Sequence, residues 1–340
     1  MRHLLLQPQP TTAAHNALLS RQLDCSANMP KRKRRVHKKD RAPHLLAPVV
    51  WPTWILIGFV WLMVRLPLSW ISALGRSTGR LLYRYGHSRR RITLRNLELC
   101  FPELGEQARV ALAKQTFEHV GIGTLELMIP WLNPKKDLLP YFSVKGLSHL
   151  RNAVALNRGV LLLGAHYSVM DVISAPLAQC GPIDVMYRFN KNPAWEWLQL
   201  NGRKRYFDGV IERENTRQVL RRLKQGRVVW YAPDQDYGIK HSVFAPFFSI
   251  ETATITATAR FAKLNSSPVL FVQHTKNPAS GQWEIEFHPV LEGYPSGDDV
   301  VDAARVNQQI EQLVRERPEQ YLWLHKRFKT RPPGEPSLYQ

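Results

Sequence analysis

The sequence predicts an α/β fold, with a mixed central sheet flanked by helices and an N-terminal membrane helix ahead of it. Short apolar runs at residues 160–163, 183–187, 228–232, 269–272 and 283–287 are separated by helix-length stretches, the alternation expected of a parallel or mixed sheet. Residues 45–64 form a stretch of twenty positions without a charge, about the length that crosses the hydrocarbon core as a helix. Residues 89–102 and 106–127 carry helical spacing between those two regions. The expected organisation is a disordered basic tail over 1–44, a membrane-anchoring helix over 45–75 and an α/β domain over 76–335.

Residues 1–28 hold little apolar pattern beyond Leu4, Leu5 and Leu6, too short for the core of a secretory signal, and Met29 is an alternative start to Met1. Residues 31–41 pack eight Lys or Arg against one acid, either a solvated tail or an electrostatic grip on anionic lipid or nucleic acid. Trp51, Trp54 and Trp61 in the uncharged stretch suit the headgroup level of a bilayer. Pro48 and Pro52 interrupt its first turns and Arg65 ends it, so the alternative to a span is a helix lying in the membrane surface. Arg76, Arg80, Arg84 and Arg89–Arg91 follow downstream, so charge gives no orientation. The next helix runs through Ile92, Leu94, Leu97 and Leu99 and stops at Phe101-Pro102, because a residue before proline is pushed out of helix.

The chain has 340 residues, enough for one large domain with an appendage, and 47 Lys and Arg against 27 Asp and Glu give it a formal charge of +20. That excess favours an anionic partner. Cys25, Cys100 and Cys180 are far apart and form no C-x-x-C pair, which supports neither a disulfide framework nor a zinc cluster. No Walker loop, dinucleotide fingerprint or H-E-x-x-H helix occurs. Metal-free, cofactor-free chemistry is expected.

The 160–163 run is followed by His166-Tyr-Ser-Val-Met-Asp171, an H-x4-D box at the end of a buried strand. Imidazole is suited to taking a proton near neutral pH, and a carboxylate one turn away can fix its tautomer and stabilise the imidazolium. A structural, hydrogen-bonded histidine is the competing reading. Ligands in open α/β sheets gather beyond the carboxyl ends of the strands, so residues just past the other runs are candidates for the same pocket. Arg188 follows the 183–187 run, and Arg203 ends the helical stretch that begins near Trp195; guanidinium forks suit phosphate or carboxylate, while a solvated basic face is the alternative. Past 228–232 come Asp234, Asp236, Tyr237 and Gly238, which turn chemistry alone can also explain. Residues 243–248, an apolar and aromatic run, either line a ligand groove or pack in the core.

These blocks together resemble the late acyltransferases of lipid A biosynthesis, within the H-x4-D glycerolipid acyltransferase group. The resemblance runs from about Trp51 to Tyr339. It is carried by Arg95-Asn96-Leu97, Phe101-Pro102-Glu103, the H-x4-D box, Tyr187-Arg188 with Asn190, Gly202-Arg203, the block Asp234 to Gly238, Val243-Phe244-x-Pro246, and the tail from Pro318 to Pro332. The tail with His325 and Arg327, and Tyr237 before Gly238, look like the lauroyltransferase-type branch. The resemblance implies a bacterial inner-membrane enzyme whose site faces the cytoplasm. It would take an acyl chain from acyl carrier protein and esterify a hydroxyacyl chain on a phosphorylated lipid A precursor, using no cofactor and no metal. It implies that His166 and Asp171 are the catalytic pair and that Arg203 and Asp234 belong to the active site, with Asp234 orienting an arginine. Arg188 is added from its position, and Asp236 and Tyr237 as further substrate-binding candidates. The branch often has Glu at the acid of the box, where this chain has Asp171. The expected partners are acyl carrier protein, the lipid A precursor and an anionic membrane, with no nucleic acid. Acylation of a lysophospholipid, glycerol phosphate or glycosylated lipid would use the same box. A membrane-tethered nucleic-acid-binding protein would explain the basic block and leave the box and the tail unexplained.

Overall fold

A computed structural model describes residues 44–339. The expected basic tail lies, up to residue 43, outside the described residues, as do Met29 and Cys25. Five helices come first: α1 (Trp51–Met63), α2 (Leu68–Tyr85), α3 (His87–Cys100), α4 (Glu106–Glu126) and the short α5 (Met128–Leu132). The sheet then begins with β1 (Phe142–Lys145), α6 (Leu147–Ala155), β2 (Val160–Leu163), α7 (Ser174–Gln179) and β3 (Ile183–Tyr187). It continues through α8 (Pro193–Lys204), β4 (Val210–Glu212), α9 (Thr216–Lys224) and β5 (Val228–Tyr231). A hairpin of β6 (Ser242–Phe247) and β7 (Ile250–Ile255) follows, then α10 (Ala257–Asn265), β8 (Val269–Lys276), β9 (Trp283–Val290) and α11 (Asp299–Glu316).

The central sheet has seven strands in the order β1-β9-β8-β2-β5-β3-β4. Its pairs are parallel except β8 with β9, so the expected mixed sheet flanked by helices is what forms. All five apolar runs are strands. β1 and β4 were too short to be read as strands, and in β6 Pro246 interrupts the apolar run at 243–248. β2 sits at the centre and is buried along its whole length, as an unbroken Val-Leu-Leu-Leu run requires when both faces are covered. Leu162 joins the core cluster on one face and Leu161 and Leu163 the cluster on the other.

The spanning helix expected over 45–64 does not form. No helix of the described residues is long and apolar enough to cross a membrane. Prolines set the breaks: Pro48 and Pro52 fall in the first turns of successive short helices, and Pro67 precedes α2. α1 therefore has 13 residues, about 20 Å of helix against a hydrocarbon core of about 30 Å. Its Ile57, with Val50, Val64 and Ile71 around it, is buried in the cluster that also holds β2. Its other side leaves Ile55, Leu56, Phe59 and Leu62 exposed.

Helix α4 ties this N-terminal layer to the middle of the sheet, and two glycines on opposite sides let it do so. A Cβ on Gly121 would stand 2.2 Å from the Gly75 carbonyl oxygen of α2, and one on Gly123 would stand 1.9 Å from the carbonyl oxygen of Ser168. Neither gap admits a methyl group. Gly123→Ala should therefore push the chain segment just past β2, costing about 1–3 kcal/mol in the manner of an overpacked core. A melting curve superimposable on that of the unaltered protein would refute this close packing.

Candidate active site

Register positions the first two functional side chains. β2 and β5 are parallel neighbours with Leu163 opposite Tyr231, and the residues three places further on are His166 and Asp234. Both emerge beyond the carboxyl ends of central strands, where an α/β sheet gathers its ligands. The His166 backbone N–H donates to Asp234 Oδ2 at 2.9 Å, and His166 Nδ1 lies 2.5 Å from Asp234 Oδ1. Asp234 is buried. Burial would raise its carboxyl pKa, but the facing imidazole and its hydrogen bonds outweigh burial and hold it down to about 2.

The acid of the H-x4-D box is elsewhere. Arg203, on the last turn of α8, donates from Nε to Asp171 Oδ1 and from Nη2 to Oδ2, each at 2.8 Å. This is a two-pronged pair with both side chains nearly enclosed. Burial alone would lower the arginine's pKa; the Asp171 charge overrides it and raises it. The pairing expected from the sequence, His166 with Asp171 and Asp234 with an arginine, is exchanged. Residues 168–173 wind through a series of turns before α7, which carries Asp171 toward α8 while the sheet brings Asp234 to the histidine.

The remaining candidates divide. Asp236 accepts from the Gly238 N–H at 2.8 Å, the Thr330 N–H at 2.6 Å and the Thr330 hydroxyl at 2.9 Å. Its carboxylate thus shapes a turn and ties down the C-terminal tail. Tyr237 is partly exposed, with the Arg213 guanidinium 5.5 Å from its ring centre. Arg188, just past β3, is exposed, and its side chain has no ion pair among the described residues. Phe247 and Phe248 are buried against Phe101, Trp323 and Phe328, so the end of this segment packs the core, while Val243 and Phe244 are half-buried and Pro246 is exposed.

The C-terminal tail supplies the residues that sequence reasoning left without a role. Tyr321 bridges to Tyr167. The Leu322 N–H donates to the His166 carbonyl and the Ser168 N–H to the Gln320 carbonyl, both at 2.9 Å. Asn96 of α3 holds the next stretch, its side-chain amide donating to the Trp323 and His325 carbonyls at 2.7 and 2.8 Å. Asn96, His166, Asp234, Tyr321, His325 and Arg327 then line one small cavity. Arg327 is buried without a carboxylate on its fork, donating to the Ala253 carbonyl and Thr254 hydroxyl at 2.8 and 3.1 Å. The polar residues Gln320, His325 and Arg327 set among Tyr321, Trp323 and Phe328 were the available signal, since such a mixture fits neither a plain core strand nor a solvated tail. Among the described residues no group of three or more His, Cys, Asp or Glu could hold a metal ion.

The cavity beside His166 has a volume of only about 10 Å³, room for a single water. A second, of about 20 Å³, lies by Asp171 and Arg203 among Met170, Ile173, Leu177 and Phe207. An acyl chain enters either space only when its walls move. What the arrangement offers is a partly exposed imidazole whose second nitrogen has no hydrogen-bond partner among the described residues, backed by a buried carboxylate, the geometry of a general base.

The chain matches, over residues 38–330, the model of the family described as bacterial lipid A biosynthesis acyltransferase. It is 40% identical over 297 residues to the lipid A biosynthesis lauroyltransferase of Escherichia coli (strain K12), covering 87% of this chain and 97% of that protein. Identity to the palmitoleoyltransferase of the same organism is 38%, over 86% of this chain and 96% of the relative. To its myristoyltransferase it is 28%, over 86% and 91%.

Proposed function

The chain belongs to the bacterial lipid A biosynthesis acyltransferases, and from that premise we propose that it moves a fatty acyl chain from acyl carrier protein to a hydroxyl of a hydroxyacyl chain on a lipid A precursor, with His166 as general base. The observation that carries this reading is the His166–Asp234 pair. With its Nδ1–H given to Asp234, a neutral imidazole keeps its lone pair on Nε2. Nε2 takes the proton of the acceptor hydroxyl as the oxygen attacks the thioester carbonyl. The imidazolium, stabilised by Asp234, then returns that proton to the departing sulfur. One bond to carbon forms, the carbon–sulfur bond breaks, and no acyl-enzyme is needed. Asp171 and Arg203 act on this centre indirectly, by fixing the turns that follow His166.

Charge supports the donor. A groove of about 840 Å³ between α3 and α4 is lined by Arg90, Arg91, Arg95 and Arg109 against Glu98 and Glu106, a net positive surface for an acidic carrier protein. Exposed Arg188 is suited to an acceptor phosphate, a role that Arg203, its fork filled by Asp171, serves poorly. Apolar exposure supports a membrane setting. Ile55, Leu56, Phe59 and Leu62 of α1 and Trp70 and Leu74 of α2 stand out from the surface, with Arg65, Arg76 and Arg80 nearby in sequence. That pattern fits helices lying in the headgroup region of an anionic inner membrane, the site facing the cytoplasm. Mass spectrometry of lipid A from cells with and without the protein tests acceptor and donor chain together. One acyl chain of lauroyl class should be missing from the lipid A without it; an identical lipid A profile would overturn the proposed acceptor.

A further inference from the structure

We propose that His325 is a second catalytic imidazole, whose ring N–H donates a hydrogen bond to the thioester carbonyl oxygen as negative charge builds on it. The inference rests on His166 being the base. Among the described residues that line the cavity beside His166, the accessible, uncharged side-chain donors are His325 and Gln235, whose amide nitrogen lies 3.5 Å from the His325 ring. Asp234 and Tyr321 are buried and engaged with each other and with His166. The Asn96 amide is spent on two tail carbonyls, and Arg327 gives its outer nitrogens to the β7 backbone and Thr254.

The two rings are held at a useful separation. Their centres lie 6.3 Å apart with planes inclined by 47°. Once the walls of the cavity part, a tetrahedral carbon with one oxygen toward each ring spans this separation, given that such donors act at about 2.7–3.1 Å from the oxyanion. Both histidines are positioned through the same contact, because the tail pairs with the backbone of His166 itself through the Leu322 N–H. Three residues on, the His325 carbonyl is gripped by Asn96 at 2.8 Å and by the Arg327 N–H at 2.9 Å. The backbone is pinned while the ring reaches solvent, its Nε2 only 3.5 Å from the Gln235 amide nitrogen. Burial by its surroundings and the nearby His166 lower its pKa, which keeps it neutral and leaves the base its own proton to take. A neutral imidazole donor neither repels the imidazolium that forms on His166 nor needs a counter-ion.

The test compares the unaltered enzyme with His325→Ala, His325→Gln and His166→Ala, using lauroyl-acyl carrier protein and a phosphorylated, hydroxyacylated glucosamine disaccharide. His325→Ala should lower kcat about 10²–10³-fold, the loss typical of one oxyanion donor, with KM and melting temperature unchanged. His325→Gln keeps an N–H donor and should recover part of the rate. Unchanged kcat in His325→Ala, a loss expressed in KM alone, or an equal loss in the Ala and Gln variants would overturn the donor role. His166→Ala separates the two ideas. If it is inactive while His325→Ala is not, only the second imidazole falls; if it keeps its activity, the base assignment falls and this proposal with it.

Discussion

Asp234→Asn should lower kcat by about 10²–10⁴-fold, the range that separates an assisted from an unassisted proton transfer, in a protein that still folds. The substitution is isosteric, but its single oxygen can accept from only one of the two His166 groups, the backbone N–H that reaches Oδ2 or the Nδ1 that reaches Oδ1. It also removes the charge. An amide does not stabilise the imidazolium, and its NH2 group can present a donor to Nδ1, which turns the ring's lone pair away from the substrate. The loss should fall on kcat, because Asp234 is buried behind the histidine and out of reach of substrate. Steady-state kinetics of Asp234→Asn beside Asp171→Asn checks the assignment. If Asp171→Asn alone cost kcat and Asp234→Asn were silent, the histidine would take its carboxylate from the box after all, and the pairing in the structure would be wrong for catalysis.

That reversal of partners marks where the sequence stops being readable. His166 was legible as a site candidate because an apolar run ending in a small-residue turn announces a strand end, where an α/β sheet gathers its ligands. Its partner was not. Asp171 is five positions away, and Asp234 sixty-eight; proximity in sequence favours the first, and only strand order decides for the second. β2 and β5 become neighbours through three helical connections, by way of β3 and β4, and the insertion of β5 between β2 and β3, an outcome of packing that no local pattern encodes. The strands themselves were plain at 160–163 and 228–231, where the run is unbroken, and at 283–287, where apolar residues alternate with Glu. The membrane segment was misjudged for a related reason. Uncharged length was visible, but Ile57 and Val64 are consumed by the core, so the same residues that look lipid-soluble in a list are partly an inner face. Asp236 was read as a substrate contact from its place in the block 234–238, and its bonds to Thr330 of the tail depend on a long-range contact that the sequence does not display.

Arg203→Met should destabilise the protein by about 3–5 kcal/mol, since it strands a buried carboxylate without its counter-charge. Asp171 has an 11% exposed side chain and Arg203 a 13% exposed one, too enclosed for water to replace either partner fully. The double variant Asp171→Leu with Arg203→Met should be markedly less damaged than the sum of its parts, because removing both charges abolishes the desolvation penalty together with the attraction. Activity follows a different rule. The pair fixes the turns between His166 and α7, so the double variant should fold while turning over slowly, its base no longer held in register with Asp234. Chemical denaturation of the two single variants and the double one closes the thermodynamic cycle. Strict additivity would mean that Asp171 and Arg203 do not interact in solution, and a double variant with full activity would show that the H-x4-D acid has no part in placing the histidine.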